Sequence, residues 1–323
     1  MRPAGGIHAD QWGACLVADP AAAHVLSRRT VQDRGRRAAP DRGELHHGSL
    51  SHAIALGSTV SARLANTVAF VTGGGRGLGA GIATALAEAG AAVAVAARTM
   101  AQVEETVASI GAAGGRALAV RCDVTDRESV AAAYAEAKAA FGAPTLLVNN
   151  AGVQGPLGPA GLVDTQAWWD TQTVHVLGAL LCISAALPDM IANGGGRILN
   201  IASQAGTFVA PFASAYAVAK ASLIRLTEHI DVEQKDAGVR AFAIQPGTIM
   251  TAMAEETLRS EQARAFAKPL VSLLEATTEE ESAEGMARLC LFAVALAAGE
   301  HDALAGRYVD IERDIPGNVT GNG

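Results

Sequence analysis

Cysteine is scarce in this 323-residue chain. Cys15, Cys122, Cys182 and Cys290 stand far apart, with no Cys-x-x-Cys pair and no clustered His/Cys spacing. That pattern argues against a disulfide framework and suggests no metal site, and it fits a reducing, cytoplasmic setting. Basic charge is lacking too: 25 Lys and Arg face 32 Asp and Glu, a formal net charge of −7 with no basic stripe. Nucleic acid is therefore not expected as a partner. Apolar runs such as 289–298 fall well short of the ~20 residues a membrane-spanning helix needs, so they read as buried helix and no membrane partner is expected. No internal repeat or long low-complexity linker divides the chain. What it has in quantity is apolar surface, 50% of its residues, enough for one α/β domain of about 250 residues with an appendage.

The appendage is N-terminal. The first 57 residues hold five of the eight histidines, many arginines and no sustained periodicity. Asp19 and Pro20 break the one candidate secretory run, and Asp10, Asp19, Asp33, Asp41 and Glu44 are too many acids for a transit peptide. Residues 1–60 are expected to be disordered: a regulatory tail, a loose extension, or an upstream start that the natural protein does not use. Residues 61–315 are expected to form the domain and 316–323 a short tail.

Within the domain, strand and helix patterns alternate. Short β-branched or alanine-rich runs predict strands over 68–72, 92–97, 116–122, 145–149, 197–202, 239–245 and 307–311. Helices are predicted over 100–112, 127–141, 165–191, 214–236 and 279–298, with another directly after the first strand. The alternation predicts a single Rossmann-like, doubly wound parallel sheet of about seven strands with helices on both faces. Ligands of such sheets bind beyond the carboxyl ends of the strands. Arg98, Asp123, Asn149, Ser203 and Pro246-Gly247 all end or follow predicted strands, which argues for one continuous site.

The first strand runs into Thr72-Gly73-Gly-Gly-Arg76-Gly77-Leu78-Gly79 and then a helix. Glycines at such a turn allow a sharp bend, close approach of a ligand and tight packing of helix on sheet. The helix N-terminus offers unpaired N–H groups and a positive dipole end to a pyrophosphate. Tyr216 and Lys220 share a helix face at i, i+4 spacing, and Ser203 precedes Tyr216 by thirteen residues.

With Asn149-Asn150-Ala151-Gly152, this set in this order resembles the short-chain dehydrogenase/reductase family, over about 65–311. The resemblance implies an oxidoreductase that interconverts a carbonyl and a secondary alcohol, with hydride chemistry supplied by a nicotinamide cofactor. It implies Tyr216 as general acid/base, Ser203 as the group that orients the substrate oxygen, and Lys220 as ribose anchor. A phenol of ordinary pKa near 10 needs tuning to work near neutrality, and the Lys220 ammonium is expected to pull it down. The resemblance further implies adenine contacts at Asp123 and Val124, dinucleotide contacts at Asn149, Ala151 and Gly152, and nicotinamide contacts around Pro246, Gly247, Ile249 and Thr251.

One position departs from the family pattern. His175 stands where an asparagine usually supports the lysine through an ordered water; it either substitutes for that asparagine or is a packed helix residue. An inactive NADP(H)-binding sensor or structural protein therefore stays open as an alternative. Cofactor choice is argued from charge. The second strand ends on Ala97-Arg98 with no acid to accept from a ribose hydroxyl, and Arg76 adds a second cation, so NADP(H) is expected over NAD(H). The substrate is expected to be a small carbonyl or alcohol. Met250, Met253, Leu258, Phe266 and Leu270, in the 247–274 segment that forms a lid in relatives, either line its cavity or pack in the core. Apolar positions on the 165–191 and 214–236 helices suggest, by resemblance, a homodimer or homotetramer.

Overall fold

The computed structural model describes residues 63–315; the expectations for 1–60 and 316–323 lie outside them. Seven strands form one parallel sheet in the order β3-β2-β1-β4-β5-β6-β7. They are β1 (Val68–Thr72), β2 (Ala92–Ala97), β3 (Arg116–Arg121), β4 (Leu146–Asn149), β5 (Gly196–Ile201), β6 (Val239–Gln245) and β7 (Tyr308–Asp310). The sheet is the doubly wound fold read from the sequence, with strand ends shifted by a residue or so. Chain order reverses at β1, which pairs with β2 on one side and β4 on the other. That reversal opens a crevice above the carboxyl ends of β1 and β4.

The strands are apolar on both faces because both faces are covered. Ala69 and Val71 of β1 and Leu146 and Val148 of β4 pack on one side, against α1 (Gly77–Glu88), α2 (Met100–Ala112) and α10 (Glu279–Ala297). Phe70 and Leu147 alternate to the other side. There they meet α3 (Arg127–Phe141), α5 (Gly178–Ala192) and α6 (Ser214–Gln234). The period of two in β1 and β4 thus divides one sheet between two cores. Side-chain caps fix several helix starts. Asp126 accepts from the Glu128 N–H at the start of α3, and Thr278 and Glu281 form a reciprocal capping box at α10.

The helix expected over 165–191 is not a uniform α-helix. It consists of α4 (Thr165–Gln172), a π-helical turn over Thr173–Leu177, and α5. Its 28 residues, with mean hydropathy 1.8 over the most apolar window, are long and apolar enough to cross a membrane by length and composition alone. This corrects the expectation that no segment reaches that length. Leu181, Cys182, Ile183, Ala186 and Met190 of α5 instead enter the sheet core, which accounts for the apolar character. After β6 the chain forms α7 (Ala252–Arg259), α8 (Glu261–Phe266) and α9 (Lys268–Ala276), three short helices over the lid segment.

Candidate active site

The crevice is built first from backbone. Gly73 and Gly77 adopt φ +64° and +56°, a region that side chains disfavour. A Cβ on Gly79 would stand 2.3 Å from the Gly73 oxygen, so this position packs helix against turn. Arg76, the residue preceding α1, makes no side-chain cap bond, leaving the first N–H groups of α1 to an anionic ligand. The Thr72 hydroxyl accepts from the N–H groups of Asn150 (3.1 Å) and Ala151 (3.2 Å) and donates to the Val148 oxygen at 3.1 Å. The Asn150 amide donates to the carbonyls of Thr72 and Gly73. These bonds fasten the turns after β1 and β4 to each other.

One cleft of about 260 Å³ collects most of the residues singled out from the sequence. Gly73, Arg76, Gly77, Leu78, Arg98, Asp123, Val124, Ala151, Gly152, His175, Tyr216, Lys220, Pro246 and Thr251 all line it. Gly79, Asn149, Ser203, Gly247 and Ile249 do not. Asn149 turns inward and donates to Asn200 Oδ1 at 2.8 Å; Gly247 turns at φ +89° beneath Glu312; Ile249 is buried in the core beside Gly285. Ser203 accepts from the Ala205 N–H at 3.2 Å and sits within hydrogen-bond reach of Tyr216. Sequence reasoning missed Thr99, Gln102, Thr125, Val153 and Val174 in the cleft wall. Thr125 had a signal: the Asp123-x-Thr125 spacing lets the Asp123 carboxylate accept from both the N–H (3.0 Å) and the hydroxyl (2.7 Å) of Thr125.

The electrostatics follow from burial. Lys220 is 4% exposed, and desolvation lowers its pKa from 10.5 to about 7. Its ammonium donates to the Ile201 oxygen at 2.6 Å and lies 5.4 Å from the centroid of the Tyr216 ring. Desolvation raises the Tyr216 phenol above 10.0, against a hydrogen bond with Ser203 that lowers it. The net shift is upward, opposite in direction to the one expected from the lysine, because burial disfavours the charged phenolate. Burial also tends to raise Asp123, but the Thr125 bonds and the charge of Arg98 prevail and hold it below its ordinary value.

His175 falls in the π-helical turn, 2% exposed. Its Nε2 lies 3.1 Å from the Val153 nitrogen and 2.8 Å from the Val153 oxygen, and its Nδ1 has no partner among the described residues. Burial and the neighbouring Lys220 charge lower it to about 3, against the Val153 bond, so the ring is neutral. Neither ring nitrogen bonds Lys220. The ring packs closely on Gly152, where a Cβ would meet it at 2.5 Å.

The short helices α8 and α9 pack on two loops, at Leu157 and Ala213. Ala263, Ala267 and Val271 pack with Leu157 and Ala213, and Leu258 and Leu270 join that small core rather than a cavity. Met253 faces the cleft. Phe266 faces a neighbouring chamber of about 820 Å³ with Leu157, Leu162 and Val163, which shares Arg98, Val153 and Val174 with the cleft.

Residues 67–262 match the family model described as short chain dehydrogenase, and the chain belongs to that family. It is 36% identical over 199 residues to cis-4-hydroxycyclohexanecarboxylate dehydrogenase of Sinomonas cyclohexanicum, covering 62% of this chain and 79% of that protein. It is 38% identical over 191 residues to 2,5-dichloro-2,5-cyclohexadiene-1,4-diol dehydrogenase of Sphingobium indicum, covering 58% and 75%. Among solved structures, a short-chain type dehydrogenase/reductase from Mycobacterium marinum superposes with a TM-score of 0.67 at 27% identity, covering 78% of this chain and 96% of that one. Dehydrogenases of this family use nicotinamide cofactors and small-molecule substrates.

Proposed function

We propose that the protein is an NADP(H)-dependent oxidoreductase that interconverts a secondary alcohol and a carbonyl. The observation that carries this reading is one cleft in which Tyr216 and Lys220 share walls with the glycine turn and Arg98. The uncapped start of α1 suits a pyrophosphate, Arg98 and Arg76 suit a 2′-phosphate, and Asp123 and Val124 flank the adenine side. When bound, the nicotinamide supplies the hydride.

The chain's own groups do the rest. In the reductive direction Tyr216 gives its phenolic proton to the substrate oxygen, and in the oxidative direction it takes that proton back. Ser203 hydrogen-bonds the same oxygen and fixes its approach to the phenol. Lys220 spends one donor on Ile201 and has two left for ribose hydroxyls. Its depressed pKa also lets it exchange protons near neutrality. The Sinomonas and Sphingobium relatives are, by their names, dehydrogenases of six-membered-ring alcohols. The apolar chamber beside Val153 fits a compact carbocyclic alcohol or ketone as substrate class. Exposed Trp169, Leu177, Leu180, Val218 and Val232 on the α4–α5 run and α6 support a homodimer or homotetramer. The free thiols at Cys122, Cys182 and Cys290 agree with a cytoplasmic protein.

The test follows NADPH oxidation by absorbance with cyclic ketones, aldehydes and quinones, beside the Tyr216→Phe protein. Turnover is expected in the parent and lost in the variant, with NADPH binding kept. Equal turnover in both would refute the reading.

A further inference from the structure

Two buried polar atoms near the cleft have no partner among the described residues: His175 Nδ1 and Asn149 Oδ1. Their residues are 2% and 6% exposed, and both line one small cavity of about 10 Å³. The remaining wall is largely apolar, including Val124, Val174, Ala179 and Leu223. That volume matches a single water, which needs at least two polar partners to be held.

Neither orphan is removed by turning a side chain round. Asn149 Nδ2 donates to Asn200 Oδ1 at 2.8 Å, Asn200 Nδ2 donates to Thr227 Oγ1 at 2.9 Å, and the Thr227 hydroxyl donates to the Leu223 oxygen at 2.8 Å. Flipping the Asn149 amide alone would set two acceptors against each other. Flipping it together with Asn200 would only put an amide N–H in the same place, so a polar atom of Asn149 faces the cavity either way. The His175 ring is held at its other nitrogen by Val153. If Nε2 accepts from the Val153 N–H, Nδ1 carries the proton; if Nε2 donates to the Val153 oxygen, Nδ1 is a bare acceptor. A carboxamide oxygen satisfies only the first tautomer. A water satisfies both, since it donates to Asn149 in either case and gives or takes a hydrogen bond at Nδ1.

We propose that this cavity is a site for one buried water, bonded to Asn149 Oδ1 and His175 Nδ1, and that Asn149 is through it a positioning residue for the His175 ring beside Tyr216. The water completes a circuit. It starts on α6 at Tyr216, passes through His175, Asn149 and Asn200, and returns to α6 at Thr227, three turns further on and on the same face. The circuit fixes the rotation of the helix that carries Tyr216 and Lys220. The effect on catalysis rests on the reading of Tyr216 given above; the water site does not.

The experiment uses the full chain in two arms. A crystal structure with ordered solvent is expected to show one water within about 3.2 Å of both atoms. A dry cavity, or a direct bond between Asn149 and His175, overturns the site. The second arm compares Ala179→Val, which fills the cavity, with Ala179→Ser, whose hydroxyl stands in for the water. The valine variant is expected to shift the ring ¹⁵N signals of His175, assigned with His175→Asn, and to lower kcat about fivefold, as for one lost hydrogen bond. NADPH affinity should stay constant, and serine should restore most of kcat. Unchanged kcat in the valine variant, or equal losses with valine and serine, overturns the positioning role. If the valine variant does not fold, the serine variant is judged alone: near-parental kcat with an altered His175 signal is expected, and an unaltered signal overturns the role. Failure of the Tyr216 reading is recognised separately, by turnover that survives Tyr216→Phe.

Discussion

The rings of His175 and Tyr216 meet edge to face, with centroids 5.5 Å apart and planes at 89°. The contact joins the π-helical turn after α4 to the first turns of α6 and places a neutral imidazole, not a cation, beside the phenol. Its neutrality is a product of burial, and it has consequences for stability.

With a folded pKa of about 3 against an ordinary 6.5, His175 binds fewer protons in the folded chain than in the unfolded one between those values. Its contribution to stability is therefore present above about pH 6.5 and lost as pH falls toward 3, by up to about 1.4 kcal/mol per pH unit. Thermal melts of the parent and His175→Gln over this window should show the parent losing Tm more steeply on acidification. Parallel profiles would place the imidazole in a wetter setting than the structure gives it.

Lys220 acts at the other end of the scale. Its pKa is about 7 folded and 10.5 ordinarily, so the unfolded chain binds more protons between these values and stability rises with pH across them. Lys220→Met should flatten that rise in chemical denaturation measured from about pH 7 to 9. It should also weaken NADPH binding.

Arg98→Asp reverses the charge at the end of β2, where the proposed function puts a 2′-phosphate. NADPH affinity should fall at least about tenfold relative to NADH, the scale of a lost charge-assisted contact. Fluorescence titration with both cofactors reads the ratio; an unchanged ratio removes Arg98 from the phosphate site.

Glu256 on α7 lies 3.6 Å from Arg76, so it competes with a phosphate for that guanidinium. Glu256→Gln should tighten NADPH by no more than about fivefold, because the pair is exposed and screened. NADH binding should be unmoved, and the gain should shrink in high salt.

Gly79→Ala tests the turn itself. With a Cβ forced to 2.3 Å from the Gly73 oxygen and 2.5 Å from Asn150 Nδ2, the variant should lose about 1–3 kcal/mol and bind either cofactor more weakly. Both losses are read by melts with and without ligand.

The sheet was legible because a parallel strand buried on both faces leaves a short continuous apolar run, as in Ala92–Ala97. The glycine turn was legible because positive φ and close approach at Gly73, Gly77 and Gly79 exclude other residues. Other features depend on what a residue meets in space. The π-helical turn around His175 changes hydrogen-bond register without changing the spacing of apolar residues. Asn149 looks like a cleft residue by position but is claimed by Asn200 across the sheet. Ile249 follows a motif yet is needed by the core. The direction of the Tyr216 shift is set by burial, a depth that spacing does not encode.

The hydroxyl of Thr72 holds three backbone groups belonging to the strand and turn of β4. Those segments lose their conformational freedom when the chain folds, not when a dinucleotide arrives. Association on that side of the cleft is then docking onto a finished surface, with little ordering entropy set against it. The helices α7 to α9 are tied down differently, by the small aliphatic core around Leu157 and Ala213, the Phe212–Phe266 ring pair and the exposed Arg76–Glu256 pair.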